Sequence, residues 1–277
     1  MSKPTADMGE ETVVTEVCST HGKYAARQNV VAGRTFSSRC PQCVEDEKRE
    51  KKAVHEARRA AHIKEIIEQA SIPARFRRRS FDNYRAETKE QESALAIAEA
   101  YADKFEKLLG HGAGLVFCGK PGTGKTHLAV AIARAVLRSG RPVRFTPVIE
   151  ALRTVKETWG RNSSMTESEA VNRYVEPTLL ILDDVGVQFG SETEKLILYE
   201  ILDARYRNVR PTIMTSNLTE EELADYVGTR NLDRMREGGG AVVAFTWTSY
   251  RGNVHRDEGL PPVEVQPAPF SDGEGEQ

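Results

Sequence analysis

Residues 119–126 read GKPGTGKT, and their types and spacing suit the binding of a nucleotide's phosphates. The segment fits the pattern G-x-x-x-x-G-K-[ST]. Gly119, Gly122 and Gly124 permit backbone conformations closed to residues with a Cβ, so successive N–H groups can turn toward an anion. Lys125 can bridge the β- and γ-phosphates, and the Thr126 hydroxyl can bind Mg²⁺. The candidate nucleotide-binding residues are Gly119, Lys120, Pro121, Gly122, Thr123, Gly124, Lys125, Thr126 and His127.

Two acids follow a second apolar run in the chain. Residues 179–182 (LLIL) have the composition of a buried strand, and Asp183 and Asp184 come directly after it. Ligands in open α/β sheets bind at the carboxyl ends of strands. We therefore assign Asp183, with Thr126, to Mg²⁺ and Asp184 to positioning or activating the attacking water. The alternative is a chance pair of acids at a strand end, which the phosphate-binding loop makes the weaker interpretation.

Three further polar residues are candidates for the same site. Asn217 follows the apolar run 212–216 and could orient the attacking water or contact the γ-phosphate. It could instead cap a following helix, although Thr219 is itself a good cap. Arg234 and Arg251 could stabilise developing phosphate charge through their planar, multi-donor guanidinium groups. Most arginines lie at the surface, so sequence position alone assigns neither of them.

The elements that must position these residues alternate along the chain. Apolar runs occur at 115–118, 143–148, 179–183, 212–216 and 242–247, and helical patterns fall between them, including 91–109 and 192–207. Such alternation predicts an α/β fold, with a parallel sheet covered on both faces. The order strand, glycine loop, helix around residue 119 points a helix N-terminus at the bound anion.

Near the N-terminus, cysteine and histidine recur at the spacing of a metal site. Cys18, His21, Cys40 and Cys43 form C-x₂-H followed by C-x₂-C, which suits tetrahedral Zn²⁺. With no water-activating acid evident between these ligands, we interpret the site as structural. Unligated thiols are the alternative, and a disulfide is disfavoured in a reducing compartment. The fourth cysteine, Cys118, lies in a predicted strand and should pack as a small hydrophobe.

Composition and charge limit the classes of protein to which the chain can belong. The formal net charge of −2 over 277 residues excludes a globally basic nucleic-acid binder but leaves local basic patches possible. No apolar run is long enough for a membrane span, and no signal-peptide core is present, so a cytoplasmic protein is expected. The predicted organisation is disorder at 1–13, a zinc-binding module and helix at 14–70, an α/β domain at 71–255 and a disordered acidic tail at 256–277. The helix, at 45–70, is equally consistent with a solvated linker and with a partner-docking helix.

Seven motifs between residues 71 and 252 together resemble those of one protein family: IPARF at 72–76, SFDNYR at 80–85, GKPGTGKTHLA at 119–129, LLILDDVG at 179–186, TSN at 215–217, DRMR at 233–236 and W-x-SYR at 247–251. They resemble the DnaC-type replicative helicase loaders, AAA+ ATPases whose relatives include the IstB-like transposition helpers. The last W-x-SYR and DRMR are the most particular to the loaders.

The resemblance implies a fold, an activity and partners. The fold would be an AAA+ domain with a five-stranded parallel sheet of order 5-1-4-3-2, and the activity would be ATP hydrolysis with Mg²⁺. Arg234 would be an arginine finger acting on a neighbouring subunit, and Arg251 a second sensor arginine. The partners would be a replicative DNA helicase, gripped by residues 14–70, single-stranded DNA and further copies of the chain. Many AAA+ ATPases have glutamate where this chain has Asp184, and the shorter carboxylate is expected to slow hydrolysis.

Two other functions remain open at this point. One is an IstB-like transposition helper that binds duplex DNA and a transposase; the other is a zinc-dependent DNA-binding adaptor whose ATP site serves only as an assembly switch. For single-stranded DNA, Phe76 and the basic run 77–79 are candidates, although a linker that packs on the AAA+ domain is the favoured interpretation of that segment. Phe81 and Tyr84 could line an adenine pocket.

Overall fold

The structure, a computed structural model, describes residues 12–31, 33–186 and 191–250. The chain divides into two compact units, Met1–Lys64 and Glu65–Gln277. The predicted disorder of residues 1–11 and of the acidic tail at 256–277 falls outside the described residues. Within the described ranges, no helix combines the length and apolar character that crossing a bilayer requires.

The first unit contains a three-stranded antiparallel sheet that the sequence analysis did not predict. Its strands are β1 (Thr12–Cys18), β2 (Gly22–Val31) and β3 (Arg34–Ser37), in the order β1-β2-β3. Thr12 and Val13 pair with Gln28 and Arg27, so the expectation of disorder through residue 13 is wrong for these two residues. The strands escaped prediction because most of their side chains are exposed, and burial is what produces a period of two in sequence.

A long helix, α1 (Pro41–Gln69), follows the sheet and ends as predicted before Ser71. It begins four residues earlier than expected, with a proline at its first position, where the missing N–H is no loss. Its last turn belongs to the second unit. Ile66 is buried there, and the Phe145 N–H donates to the Ala70 carbonyl at 2.8 Å. The division therefore falls at 64/65 inside the helix, not at the expected 70/71.

The second unit is built on a parallel sheet. Its strands are β4 (Leu115–Gly119), β5 (Val143–Pro147), β6 (Leu179–Val185), β7 (Thr212–Ser216) and β8 (Ala241–Phe245). They pair in the order β5-β6-β7-β4-β8, all parallel. Numbered from β4, this is the predicted order 5-1-4-3-2 read from its other edge, so the fold prediction is confirmed.

Helices cover both faces of this sheet. They are α2 (Lys89–Asp103), α3 (Phe105–Leu109), α4 (Lys125–Arg138), α5 (Val148–Glu157), α6 (Glu167–Val175), α7 (Glu192–Arg207), α8 (Glu220–Val227) and α9 (Thr229–Arg236). Leu115 and Phe117 of β4 face a core shared with α2 and α4, whereas Val116 and Cys118 face a core shared with α5 to α9. The predicted helix 91–109 is two helices that meet at Lys104.

Candidate functional site

The phosphate-binding loop joins β4 to α4 and is held close to its neighbours. The Gly119 N–H donates to the Leu218 carbonyl at 2.8 Å, and the Lys120 N–H donates to the Phe245 carbonyl at 2.9 Å. Gly119 has φ of +114°, and a Cβ there would lie 2.5 Å from the Phe245 oxygen. Glycine is therefore required at 119 by both backbone conformation and space.

Lys125 lies inside this loop. Its buried ammonium donates to the carbonyls of Gly119 at 2.7 Å and Lys120 at 2.6 Å. Lys125 is the first residue of α4, so its charge and the N–H groups of the helix N-terminus are at the same place. That arrangement concentrates positive potential where a phosphate would bind.

Asp183 is the acid closest to the loop. One carboxylate oxygen, Oδ1, accepts from the Thr126 hydroxyl at 2.9 Å and from the Thr215 hydroxyl at 2.6 Å. Burial raises the pKa of Asp183 above its usual value, and the nearby Asp184 raises it further, against the two hydroxyl donors and Lys125. The structure thus brings together the two residues that the sequence assigned to Mg²⁺.

The backbone of β6 is irregular at Asp184. The register of β6 against β7 shifts between Leu182 and Val185, and Asp184 has a positive φ of +55°. Its N–H donates to the Thr215 hydroxyl at 3.1 Å. Asp184 is exposed, whereas Asp183 and Val185 are buried. A bulge of this kind redirects a side chain, which accounts for the exposure of Asp184 between two buried neighbours.

Asn217 is exposed directly after β7, next to the strand that precedes the loop. The alternative that Asn217 caps the following helix is wrong, because Thr219 is the cap of α8. The Thr219 hydroxyl accepts from the Glu222 N–H at 3.3 Å, and the Glu222 carboxylate accepts from the Thr219 N–H at 2.8 Å.

The segment after β8 packs on the loop, which the sequence analysis missed. The Trp247 indole N–H donates to the Thr123 carbonyl at 3.0 Å, and the Tyr250 N–H donates to the Gly122 carbonyl at 2.9 Å. The Trp247 ring lies 4.6 Å from that of Phe245. The W-x-SYR motif was the sequence feature from which these contacts could have been predicted. Arg251 itself lies outside the described residues.

The segment between α1 and α2 packs against the start of α4. His127 Nε2 lies 2.9 Å from the Ser80 carbonyl, and the Tyr84 ring meets the His127 ring edge-on at 5.2 Å. A Cβ at Gly124 would lie 2.7 Å from Tyr84. Burial lowers the pKa of His127 and raises the pKa of Tyr84 to about 12, so both rings are neutral near pH 7.

Phe76 and the basic run 77–79 belong to the same segment between α1 and α2. Phe76 packs on Phe145 with ring centroids 6.4 Å apart, and the Arg134 guanidinium donates to the carbonyls of Arg77 and Arg79. These contacts favour the interpretation of this segment as a packed linker. Phe81 is partly buried against the same core rather than displayed for stacking.

Arg234 is placed far from its own chain's phosphate-binding loop. Its guanidinium pairs with Asp203 at 2.8 Å and lies 4.3 Å above the Tyr206 ring. The neighbouring Met235 packs at Gly114, just before β4 begins, whereas the loop follows the other end of β4. Arg234 and Lys125 therefore lie toward opposite ends of β4.

The four predicted zinc ligands come together in the first unit. Their donor atoms all lie within 4.8 Å of one another, with His21 Nδ1 3.7, 3.8 and 3.3 Å from the sulfurs of Cys18, Cys40 and Cys43. Tetrahedral Zn–S bonds of about 2.3 Å put ligand atoms about 3.8 Å apart, so the group fits this metal.

Two details around these ligands were not predicted. His21 Nε2 lies 2.9 Å from Asp46, and such a carboxylate would hold the ring with Nδ1 toward a metal bound by the three cysteines. The backbone N–H groups of Thr20 and His21 lower the pKa of Cys18 to about 6, which favours a thiolate. The hydrogen bond to Cys18 raises the pKa of Cys43 to about 11. Asp46 follows Cys43 by three residues, but this spacing alone did not indicate that Asp46 contacts His21.

Comparisons by sequence and by structure match this chain to related proteins. The family described as "IstB-like ATP binding protein" matches residues 33–251. The replicative helicase loader DnaC of Escherichia coli (strain K12) is 38% identical over 202 residues, which cover 73% of this chain and 81% of that protein. The loader of the same name from Buchnera aphidicola subsp. Baizongia pistaciae is 34% identical over 206 residues, covering 74% and 82%. The crystal structure of the DnaC helicase loader superposes with a TM-score of 0.56 at 23% identity, covering 63% of this chain and 100% of that one.

Proposed function

Because this chain belongs to the IstB/DnaC-like family of AAA+ proteins, we propose that it is an ATP-dependent loader of a replicative DNA helicase onto single-stranded DNA. The observation that carries the proposal is the 38% identity to the E. coli loader over four fifths of that protein, and the contact of Thr126 with Asp183 beside the phosphate-binding loop supports it. The runner-up, an IstB-like transposition helper, is less well supported because the curated relatives carry the loader's name.

We propose the following roles at the ATP site. Lys125 binds the β- and γ-phosphates, and Thr126 with Asp183 would hold Mg²⁺, which when bound neutralises phosphate charge. Asp184 positions the attacking water, and Asn217 senses the γ-phosphate. Two arginines complete the set: Arg251 acts as a second sensor, and Arg234 acts on the nucleotide of a neighbouring subunit.

The first unit is proposed to be a zinc module that grips the helicase. The four ligands and Asp46 support zinc binding, and the metal would supply much of the folding energy of a unit that has a small core. Purified protein should contain about one Zn²⁺ per chain, and Cys40→Ser should lower that content while leaving nucleotide affinity unchanged. Protein purified without chelators that contains no zinc would contradict the assignment.

A pull-down with the replicative helicase tests the loader function. In the presence of ATP, the wild-type chain should retain the helicase and deliver it to single-stranded DNA, measured as helicase-dependent unwinding. Lys125→Ala should lose nucleotide binding, because the phosphates lose their fixed counter-ion, and with it delivery. Capture of a transposase in place of the helicase would support the runner-up.

ATP turnover separates the loader from an adaptor that uses ATP only as an assembly switch. Asp184→Asn should keep ATP binding but stop hydrolysis, because the water loses its positioning group. If the wild-type chain binds ATP and never hydrolyses it, even with helicase and DNA present, the switch interpretation is the better one.

A further inference from the structure

The exposed part of α1 carries its cations on one side. At 3.6 residues per turn each residue is rotated by about 100° from the one before, so residues three, four and seven apart share a face. Between residues 48 and 64, one arc of about 120° contains only Lys, Arg and His, and all of these residues are exposed. We refer to this arc as the basic stripe, made of Lys48, Lys51, Lys52, His55, Arg58, Arg59 and His62.

The positive charge of the first unit is confined to this stretch of helix. Residues 48–64 carry seven Lys or Arg and two Glu, whereas residues 1–47 carry five Lys or Arg and seven Asp or Glu. Within the stretch the charge is also segregated, because the side that faces away from the stripe is mostly small or apolar. That side includes Glu50, Ala53, Val54, Ala57, Ala60 and Ala61.

Three cations of the stripe have no acidic partner. Within the described ranges, Lys48, Arg58 and Arg59 form no ion pair, whereas Lys52 pairs with Glu56 at 3.8 Å. The acids at the start of α1 are paired with residues outside the stripe: Glu45 with Arg49 at 3.6 Å, Asp46 with His21 at 2.9 Å and Glu47 with Arg39. Arg39 lowers the pKa of Glu47, with a smaller contribution from Lys51.

The segregation of these charges distinguishes the stripe from an ordinary solvated helix face. A helix that only has to be soluble alternates its charges, because a Glu four residues before a Lys stabilises it and two like charges at that spacing destabilise it. Lys48 and Lys52 have that unfavourable spacing, and Arg58 and Arg59 are adjacent in the stripe. An anion that lies along the stripe would relieve this repulsion. The stripe therefore fits a surface that binds a polyanion.

The shape and composition of the stripe favour the phosphates of duplex DNA as that polyanion. From Lys48 to His62 the helix rises by about 21 Å, which matches about six phosphates of one strand at about 3.4 Å each. Single-stranded DNA is held by stacking on aromatic side chains, and α1 contains no Phe, Tyr or Trp. Neither Asn nor Gln, which read base edges, occurs between residues 48 and 64. The contacts would therefore be with the backbone of a duplex and not with its bases.

We propose that the basic stripe of α1 binds the phosphate backbone of duplex DNA, independently of base sequence. The proposed function requires a helicase and single-stranded DNA, so this contact is additional to it. It would give the first unit a contact on duplex DNA that adjoins the strand receiving the helicase.

Fluorescence anisotropy of the full-length protein with a labelled blunt duplex of mixed sequence tests the inference. The double variant Lys48→Gln, Arg58→Gln removes two unpaired cations, and glutamine is a good helix former. This stripe variant should bind at least about tenfold more weakly than wild type. The slope of log K against log salt should fall by about 2, since each phosphate contact on B-DNA contributes about 0.9. A second duplex of different sequence should bind the wild-type chain equally well.

The matched control is the double variant Arg49→Gln, Lys64→Gln, which also removes one Arg and one Lys from exposed positions of α1, but outside the stripe. It should bind the duplex within about twofold of wild type, because charges on the far side of a helix about 10 Å wide are screened at about 0.1 M salt. Unchanged zinc content, ATP affinity and helical circular dichroism in both variants show that they are folded.

Equal losses of duplex binding in the two double variants would overturn the inference, because net charge and not the stripe would then be responsible. Wild-type duplex affinity in the stripe variant would overturn it too. If that variant kept duplex binding but lost oligothymidylate binding or helicase capture, the stripe would be a single-strand or a protein-docking surface instead. All of these results leave the loader function standing, which fails instead if the wild-type chain retains no helicase.

Discussion

Asp183 is the residue whose protonation most directly links the site to stability. Two hydroxyls, those of Thr126 and Thr215, donate to one of its oxygens, yet burial still raises its pKa above the ordinary value of 3.8. Above pH 3.8 the folded chain therefore binds more protons at this carboxyl than the unfolded chain does. The free energy of unfolding contributed by Asp183 consequently falls as pH rises from 3.8 through its folded pKa.

Asp183→Asn should stabilise the protein without nucleotide and impair the site. Asparagine can accept the same two hydroxyl bonds without a buried charge, so at pH 7 unfolding should become harder by about 0.5–2 kcal/mol. The difference from wild type should shrink as pH falls toward 3.8. Thermal unfolding with and without Mg·ATP measures both effects, because the variant should lose most of the stabilisation by Mg·ATP.

Asp184→Asn is the control for that experiment, since Asp184 is exposed on the same strand. It should leave stability without nucleotide nearly unchanged and retain the stabilisation by Mg·ATP. An equal gain in stability from both substitutions would mean that the general removal of negative charge, and not the burial of Asp183, is responsible.

At the scale of elements, the phosphate-binding loop depends on the segment that follows β8. Trp247→Phe keeps an aromatic ring against Phe245 but removes the donor to the Thr123 carbonyl. Losing one hydrogen bond of about 0.5–1.5 kcal/mol should weaken ATP binding by about two- to tenfold, with little change in melting temperature. Trp159→Phe is the matched control, because its indole N–H donates to Glu167 at an exposed site. Equal losses in both variants would contradict a specific role for Trp247.

The buried side chain of Arg205 links α7 to the chain segments that precede β6 and β7. Arg205 of α7 is 0% exposed and donates to the carbonyls of Tyr174, Val175, Pro177 and Pro211 and to the Thr212 hydroxyl. Burial lowers its pKa to about 9, so it remains charged at pH 7.

Arg205→Met should destabilise the second unit by about 3 kcal/mol or more, because several buried carbonyls would lose their donor. Chemical denaturation followed by circular dichroism measures the change. Arg207→Met, on the same helix but exposed and paired only at the surface with Asp203, should cost less than about 1 kcal/mol. Similar losses of stability in the two variants would show that the buried hydrogen bonds of Arg205 do not hold these elements together.

Burial explains which elements could be predicted from sequence. The strands β4 to β7 are largely buried on both faces, so they appear in sequence as continuous apolar runs; β8 is apolar too, and the strand order followed from the resemblance. The strands β1 to β3 bury little, so no pattern distinguished them from loop. Within the site, Lys125, Asp183 and Asp184 were predictable because local motifs carry them. The roles of Thr215, Trp247 and Asp46 depend on contacts between distant segments, which spacing along the chain does not encode.

At the scale of the whole molecule, the placement of Arg234 bears on assembly. It lies toward the opposite end of β4 from the phosphate-binding loop of its own chain, in contact with Asp203 and Tyr206. Under the proposed function, an arginine so placed would act on the γ-phosphate of another chain. The proposed function therefore requires a second copy beside the first for full ATPase activity, with one copy supplying the loop and the other the arginine.

Arg234→Ala should leave ATP affinity of the isolated chain nearly unchanged and reduce the ATPase rate of the assembled state, by up to about 10³–10⁵-fold as for arginine fingers elsewhere. Arg207→Ala, which removes another partner of Asp203, should have little effect. Mixing tests the geometry directly. Arg234→Ala chains keep the loop and Lys125→Ala chains keep the arginine, so combining two inactive preparations should restore part of the turnover at mixed interfaces. No restoration, together with weaker ATP binding by the Arg234→Ala monomer, would assign Arg234 to its own chain.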